Sequence, residues 1–214
     1  MKVVLIGATG ATGYELLKLM LADEAITEVV VLLRKALKVS NQKLKEVMVN
    51  FDQLSDWTSE IKGDIAISCL GTTLNDAGSK EAQYKVDFQY QYEFAKLAKA
   101  NHISKFLLIS ASNADASSLF FYSKIKGLLE NAIEDLNFQS FVIFRPGPLV
   151  RPNSNRTGEK IGVSIIGFLN KLGILNNFKP LPVKKLADLM LNYAKNSKAG
   201  KIILSAHQIL SESK

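Results

Sequence analysis

Cysteine is almost missing from this chain of 214 residues, since Cys69 stands alone. One thiol cannot close an internal disulfide or build a cysteine-rich metal site, and it suits a reducing compartment, so the cytoplasm is the expected location. Histidine is nearly as scarce. His102, in KANHIS, reads as an exposed cap after a helix and His207 belongs to the tail, a separation that offers no metal-ligand spacing. Long apolar runs are missing too; VVVLL and FVIF are far too short to span a bilayer. Met1 and Lys2 lead straight into an apolar segment, so no secretory leader is expected. Proline is withheld until late: all five fall between Pro146 and Pro182.

Charge is plentiful but nowhere concentrated. The net charge of +7 comes from lysines set beside acidic residues, as in KLKE and KGLLENAIED, without a finger, RNP or zipper signature. The reading is a solvated basic surface with some attraction for anionic ligands such as phosphorylated cofactors. A small-molecule substrate is expected, nucleic acid and membrane are not, and the oligomeric state is left open.

Apolar segments and amphipathic segments alternate. KVVLIG precedes the helical pattern ATGYELLKLMLAD, and ITEVVVLLR precedes a polar stretch, SNQKLKEVMVN, expected to be helical. DIAISCLG leads to the long helix EAQYKVDFQYQYEFAKLAKAN, KFLLIS to FYSKIKGLLENAIEDL, and FQSFVIFRPG closes the series. Short strands rich in Val, Ile and Leu, separated by helices, describe a parallel sheet covered on both faces. With right-handed crossovers this is a doubly wound, Rossmann-like α/β fold. The proline-bearing region marks the main internal boundary: residues 1–150 form the core, and 151–214 a small substrate cap over the sheet, with a closing helix and strand, within the same domain. In that second part RPNSNRTGEK reads as a loop, VSIIGFLNKLGIL and PVKKLADLMLNYAKN as helices, KIILS as a strand, and the final SESK as frayed.

The stretch GATGATG, residues 7–13, spaces Gly7, Gly10 and Gly13 three apart, between a strand and a helix. The first glycine permits a tight turn, the second lets backbone approach a pyrophosphate, and the third lets helix pack on strand. Thr9, Ala11 and Thr12 complete the loop, and the helix N-terminus presents free N–H groups to the phosphates. An NAD site usually carries Asp or Glu at the end of the second strand; this chain has Arg34 and Lys35 there, about twenty residues after Gly13. A guanidinium binds a 2′-phosphate through paired hydrogen bonds where a carboxylate would repel it. The expected cofactor is therefore NADP rather than NAD.

With nicotinamide bound, the usual proton donor in such folds is a Tyr with a Lys four residues later, on the same helix face. The lysine can hold the ribose and favour the phenolate, by about 3 kcal/mol at ~6 Å and an effective dielectric near 20. Tyr14–Lys18, Tyr92–Lys96 and Tyr122–Lys126 all have this spacing. Tyr14 lies on the helix committed to phosphates and Tyr92 well along its own helix. Tyr122 opens the helix after KFLLIS, whose C-terminal end carries Ser110 and Ser112. Ligands bind beyond the carboxyl ends of strands, so Tyr122, Lys126, Ser110 and Ser112 are the expected catalytic residues.

On these residues the sequence resembles the atypical short-chain dehydrogenase/reductases, in particular the Tat-interacting-protein-type NADP-binding branch, with NmrA-like proteins as more distant relatives. The resemblance rests on GATGATG, on CLGTT at 69–73, on NADASSLFFYSKIKG at 113–127, on FRPGPLV at 144–150 and on PLPVKKLADLM. It implies that Gly71, Thr72 and Thr73 line the adenosine ribose and diphosphate, and that Pro146 and Gly147 flank the nicotinamide. Where the family has an acidic residue near adenine in V-D-F, this chain has VNF, so Asn50, beside Phe51, would serve through its amide. The family's second serine before the Tyr helix aligns with Ala111, between Ser110 and Ser112. Neighbouring residues on an extended chain point opposite ways, so a flanking serine reaches the site only through irregular backbone.

Other polar residues read more simply. Cys69 is expected to behave as a small buried hydrophobe, Asp115 as a turn or cap residue, and Arg151 and Arg156 as solvated loop charges. Two functions stay open at this level: an NADPH-dependent reductase of a small carbonyl or similar substrate, and an NADP(H)-binding regulator with little or no turnover.

Overall fold

A computed structural model describes residues 1–150 and 180–212. The expected loop RPNSNRTGEK, with Arg151 and Arg156, and the expected helix VSIIGFLNKLGIL lie outside those residues. Strands β1 (Lys2–Ile6), β2 (Glu28–Leu33), β3 (Leu44–Met48), β4 (Ile65–Ser68), β5 (Lys105–Ile109) and β6 (Ser140–Phe144) are introduced in chain order. Two short strands come next, β7 (Leu149–Val150) and β8 (Leu181–Pro182), and then β9 (Gly200–Leu204). Helices α1 (Ala11–Ala22), α2 (Leu74–Ala77) and α3 (Lys80–Tyr84) precede a π turn, Lys85–Gln89, that runs into α4 (Tyr90–Ala100). Helix α5 (Phe121–Glu134), α6 (Val183–Asn196) and α7 (Ala206–Glu212) complete the described set, and a 3₁₀ segment spans Phe51–Glu60.

Seven strands form one sheet in the order β3-β2-β1-β4-β5-β6-β9, and every neighbouring pair is parallel. The doubly wound fold read from the sequence is thus present. Alternation along each strand divides the core. Val3 and Leu5 of β1 join Leu16, Leu17 and Met20 of α1 and Leu186 and Met190 of α6 on one face. Val4 and Ile6 join Phe94 of α4 and Leu129 and Ile133 of α5 on the other. No helix among the described residues is long and apolar enough to cross a membrane.

Two expectations are corrected. Within SNQKLKEVMVN, residues Leu44–Met48 form β3, a strand rather than a helix, with Val29 opposite Leu44 and Leu33 opposite Met48. Its polar composition belongs to a sheet edge: Lys45 and Met48 face solvent while Val47 is buried, and charges on an edge strand discourage pairing with another chain. The C-terminal helix and strand also do not sit over the sheet as a cap. Helix α6 packs with α1 in the core, and β9 extends the main sheet beside β6. The tail is ordered further than expected, since α7 runs through Glu212.

Asp23 closes α1 and joins the two ends of the chain. One carboxylate oxygen accepts from the Ala25 N–H at 2.8 Å and the other from Lys195 Nζ, in the last turn of α6, at 2.7 Å. The bond from Lys195, then that from Ala25, holds this carboxyl below the usual range. A lowered carboxylate adds stability that is present above the unfolded value, near 4, and lost as pH falls through the folded one. A largely solvated pair is worth about 1 kcal/mol or less. Asp23→Asn is therefore expected to lower the thermal midpoint by about 1–4 °C at pH 7, and the difference is expected to shrink steadily as the pH is taken below about 4; thermal scans across that range check this.

Candidate functional site

Strand order reverses between β1 and its neighbours β2 and β4, and a crevice opens there beyond the carboxyl ends of the strands. At the end of β1, Gly7 adopts φ +85° and its carbonyl accepts from the Gly10 N–H at 3.0 Å, closing a tight turn. Gly10 then caps α1 without a side-chain hydrogen bond, and the first turn holds no acidic residue. The leading N–H groups of α1 therefore face the crevice unopposed, a ready site for phosphate.

The crevice is a groove of about 960 Å³. Gly7, Thr9, Gly10, Ala11 and Thr12 border it from the first loop, Arg34 from the end of β2, and Gly71, Thr72 and Thr73 from the end of β4. Ser110, Ser112, Tyr122, Lys126, Pro146 and Gly147 line its other end. Gly13 acts behind the lining, packed against the Gly7 carbonyl. Lys35, Asn50 and Phe51 are not among the bordering residues.

For Asn50 the reason is visible. Its side chain caps the 3₁₀ segment, accepting from the Asp52 N–H at 3.0 Å and donating to Gln53 Oε1 at 3.1 Å. Phe51 is buried with its ring 5.5 Å from that of Tyr90. Asp52, next in the chain, accepts from Tyr90 Oη at 2.8 Å and pairs with Lys85 at 3.0 Å, whereas among the described residues the acidic one that borders the groove is Asp76. Burial first, then the bond to Asp52, pushes the Tyr90 phenol up to about 12. Lys85 and Tyr90 both border the groove. Cys69 lies on its floor, where desolvation raises the thiol far above its ordinary value, so a thiolate nucleophile is not formed at neutral pH.

Of the three Tyr–Lys pairs, only Tyr122–Lys126 borders the groove among the described residues. Lys18 and Lys96 instead pair with Glu15 and Glu93 on solvated faces. Tyr122 stands in the first turn of α5, 39% exposed, with Lys126 Nζ 5.8 Å from its ring centre. Lys126 itself is 2% exposed. Its ammonium lies 2.9 Å from Oδ1 of Asp87, a fully buried carboxylate on the π turn. Burial alone would lower the lysine, but Asp87, Tyr122 and Glu130 together outweigh it and the net direction is upward.

One helical turn beyond Lys126, Glu130 is buried and binds Arg145 of the FRPG stretch, with Nε 3.0 Å from Oε1. The Ser110 hydroxyl also donates to Glu130, so that hydroxyl is committed away from the groove. Ser112 is exposed and its backbone N–H donates to the Pro146 carbonyl at 3.1 Å. Ala111 is buried and carries no hydroxyl. Ser112 is thus the serine whose side chain can meet a ligand. Asp87, Glu130 and Arg145 escaped the sequence reading, although Lys126 and Glu130 stand four apart on one helix face, as in YSKIKGLLE. Among the described residues no His, Cys, Asp and Glu group could hold a metal ion.

Known proteins share both the sequence and the fold. A family model described as HIM1 matches residues 27–177. Protein FMP52, mitochondrial, of Candida albicans is 31% identical over 94% of this chain and 91% of its own length. Protein HTATIP2 of Rattus norvegicus is 34% identical over 78% of this chain and 71% of its own. Among solved structures, the Bordetella bronchiseptica enzyme WbmH in complex with NAD+ superposes with a TM-score of 0.71 at 17% identity, covering 96% of this chain and 75% of that one. A short-chain dehydrogenase/reductase superfamily protein from Agrobacterium tumefaciens, with bound NAD, gives 0.72 at 10% identity over 96% of this chain and 77% of that one. These two likenesses show the fold. The expected cytoplasmic location is overturned, because the FMP52 relatives from Candida albicans, Emericella nidulans and Meyerozyma guilliermondii are named mitochondrial.

Proposed function

The chain belongs to the HIM1 family and has the Rossmann-like fold of the short-chain dehydrogenase/reductases, and from that premise we propose that it binds NADP(H) and reduces a small carbonyl or similar substrate. One observation carries the reading: the uncapped N-terminus of α1, the Arg34 side chain and the Tyr122–Lys126 pair border a single groove. The α1 N-terminus receives the diphosphate, and Arg34, on the side of the second strand, takes the 2′-phosphate. Thr72 and Thr73 face the ribose between them, and Pro146 and Gly147 flank the nicotinamide end.

The coenzyme, when bound, supplies the hydride. Tyr122 donates its phenolic proton to the substrate oxygen, and Lys126, one turn behind it, grips the nicotinamide ribose. Ser112 supplies a hydroxyl to the substrate carbonyl in place of the one missing at Ala111.

A second reading, a coenzyme-binding regulator with little turnover, is favoured by one specific feature. Ser110 is spent on Glu130 and Ala111 has no hydroxyl, so the carbonyl-polarising group rests on Ser112 alone. NADPH oxidation over aldehydes, ketones and quinones separates the readings. Parent protein is expected to turn over at least one class, and Tyr122→Phe to lose about 10²-fold or more in kcat with NADPH still bound. In the same assay Arg34→Asp is expected to weaken NADPH by about 30-fold or more while moving NADH by only a few-fold. Tight NADPH binding without Tyr122-dependent turnover refutes the reductase and leaves the regulator.

A further inference from the structure

We propose that Asp87 is a positioning residue for Lys126, fixing the ammonium at one point and keeping it charged so that it can grip the nicotinamide ribose. This deepens the NADP(H) reading above and rests on it. Asp87 is 0% exposed and Lys126 2%, with 2.9 Å between Oδ1 and Nζ. Neither carboxylate oxygen has a hydrogen-bond partner of good geometry among the described residues, so the Lys126 ammonium meets Oδ1 as an ion pair.

The local backbone is built to bring Asp87 there. Across residues 80–100 the helix is interrupted by the π turn, where the Tyr90 N–H reaches back to the Lys85 carbonyl. An added residue in a helical ladder rotates the later turns by about 100°. Gln91 secures the turn from one side: its Nε2 donates to the Val86 carbonyl at 3.1 Å, and its Oε1 accepts from Ser68 Oγ, at the end of β4, at 2.7 Å. Asp87 therefore belongs to a turn tied to the sheet. The same oxygen that faces Lys126 lies near the loop after β4, since a methyl group placed on Gly71 would stand 3.6 Å from Oδ1. One carboxylate thus lies between the loop expected to hold the adenosine ribose and the lysine expected to hold the nicotinamide ribose.

The other groups around Lys126 do not take over this part. Tyr122 and Glu130 flank it on α5, but Glu130 is engaged by Arg145 and Ser110. A role in fold stability alone explains Asp87 poorly, because a buried ion pair contributes little relative to apolar side chains of the same volume. What the carboxylate controls is where the ammonium sits and whether it holds its proton in a dry place.

The test is Asp87→Asn, which keeps the shape and removes the charge. Lysines carrying ¹³C at Cε report the ammonium by NMR, with the Lys126 signal assigned from Lys126→Met. In the variant that signal is expected to lose its proton at least tenfold more easily than in the parent, a shift of about one pH unit or more downward. NADPH and 2′,5′-ADP are then titrated separately. The variant should bind NADPH about tenfold or more weakly and 2′,5′-ADP, which lacks the nicotinamide ribose, within twofold of the parent. A parental lysine titration, or a parental ratio of the two affinities, overturns the proposal. Should Asp87→Asn not fold, Asp87→Leu combined with Lys126→Met removes both charges and must show the same loss in that ratio; a parental ratio there overturns it equally. Failure of the NADP(H) reading is separate, seen as parent protein that binds neither probe while its Lys126 signal still titrates.

Discussion

Gly13→Ala is expected to abolish coenzyme binding and to lower the thermal midpoint by about 6–12 °C. A Cβ at this position would stand 2.2 Å from the Gly7 carbonyl oxygen and 2.8 Å from its carbon. Neither partner is a flexible side-chain end; both belong to the turn that closes on Gly10. Helix α1 would have to retreat from β1, and forcing a methyl group into packed backbone costs about 3 kcal/mol, which for a domain of this size corresponds to the stated fall. The same retreat withdraws the helix N-terminus from the phosphates. Dye-monitored unfolding and NADPH titration read the two effects, and a variant that melts and binds like its parent would show that the turn yields freely.

Gly127→Ala is the second large effect, and here two terms of opposite sign compete. Alanine in mid-helix is favoured over glycine by about 1 kcal/mol. Against this, a Cβ on Gly127 would lie 2.1 Å from the Ala116 nitrogen and 2.4 Å from the Asp115 carbonyl carbon. The loop between β5 and α5 therefore rests on the bare face of α5. It is held there by the Asp115 N–H donating to the Ser123 carbonyl at 3.0 Å and by Asn113 Nδ2 donating to Ser123 Oγ at 2.7 Å. Overpacking of about 3 kcal/mol outweighs the helical gain, so the variant is expected to be about 2 kcal/mol less stable, a fall of about 4–8 °C. Because this loop carries Ser112 and leads directly into the turn of α5 that bears Tyr122, its displacement is expected to cut NADPH-dependent turnover by about tenfold or more. A midpoint above the parent's would mean that propensity had won.

What could be read in advance depended on periodicity. Apart from polar ends, KVVLIG, DIAIS and KFLLI are continuously apolar because they are covered on both faces, and that run is legible without coordinates. GATGATG was legible because its spacing answers a backbone need. Residues 44–48 were not: at an exposed edge a strand carries Lys45 and Glu46, and its alternation is diluted to the point where a polar helix reads as well. The pairing of Lys126 with Asp87 was hidden for a different reason. Charged residues on amphipathic helices usually face water, and nothing in KVDFQ announces a π turn that swings Asp87 inward. The capping role of Asn50 was equally hidden, since VNF says nothing of the turn that follows it, in which the Asn50 side chain accepts from the Asp52 N–H while Asp52 meets Lys85 and Tyr90.

Helix α6 supplies the floor on which α1 lies, through Leu186, Leu189 and Met190 against Leu16, Leu17 and Met20. The glycine-rich turn and the helix it opens thus gain their support from residues more than 160 positions further along the chain. Until translation has passed residue 196, the opening βα unit has one bare flank, and a fragment ending at residue 150 would inherit that exposure permanently. The boundary written by the prolines is therefore no place to cut.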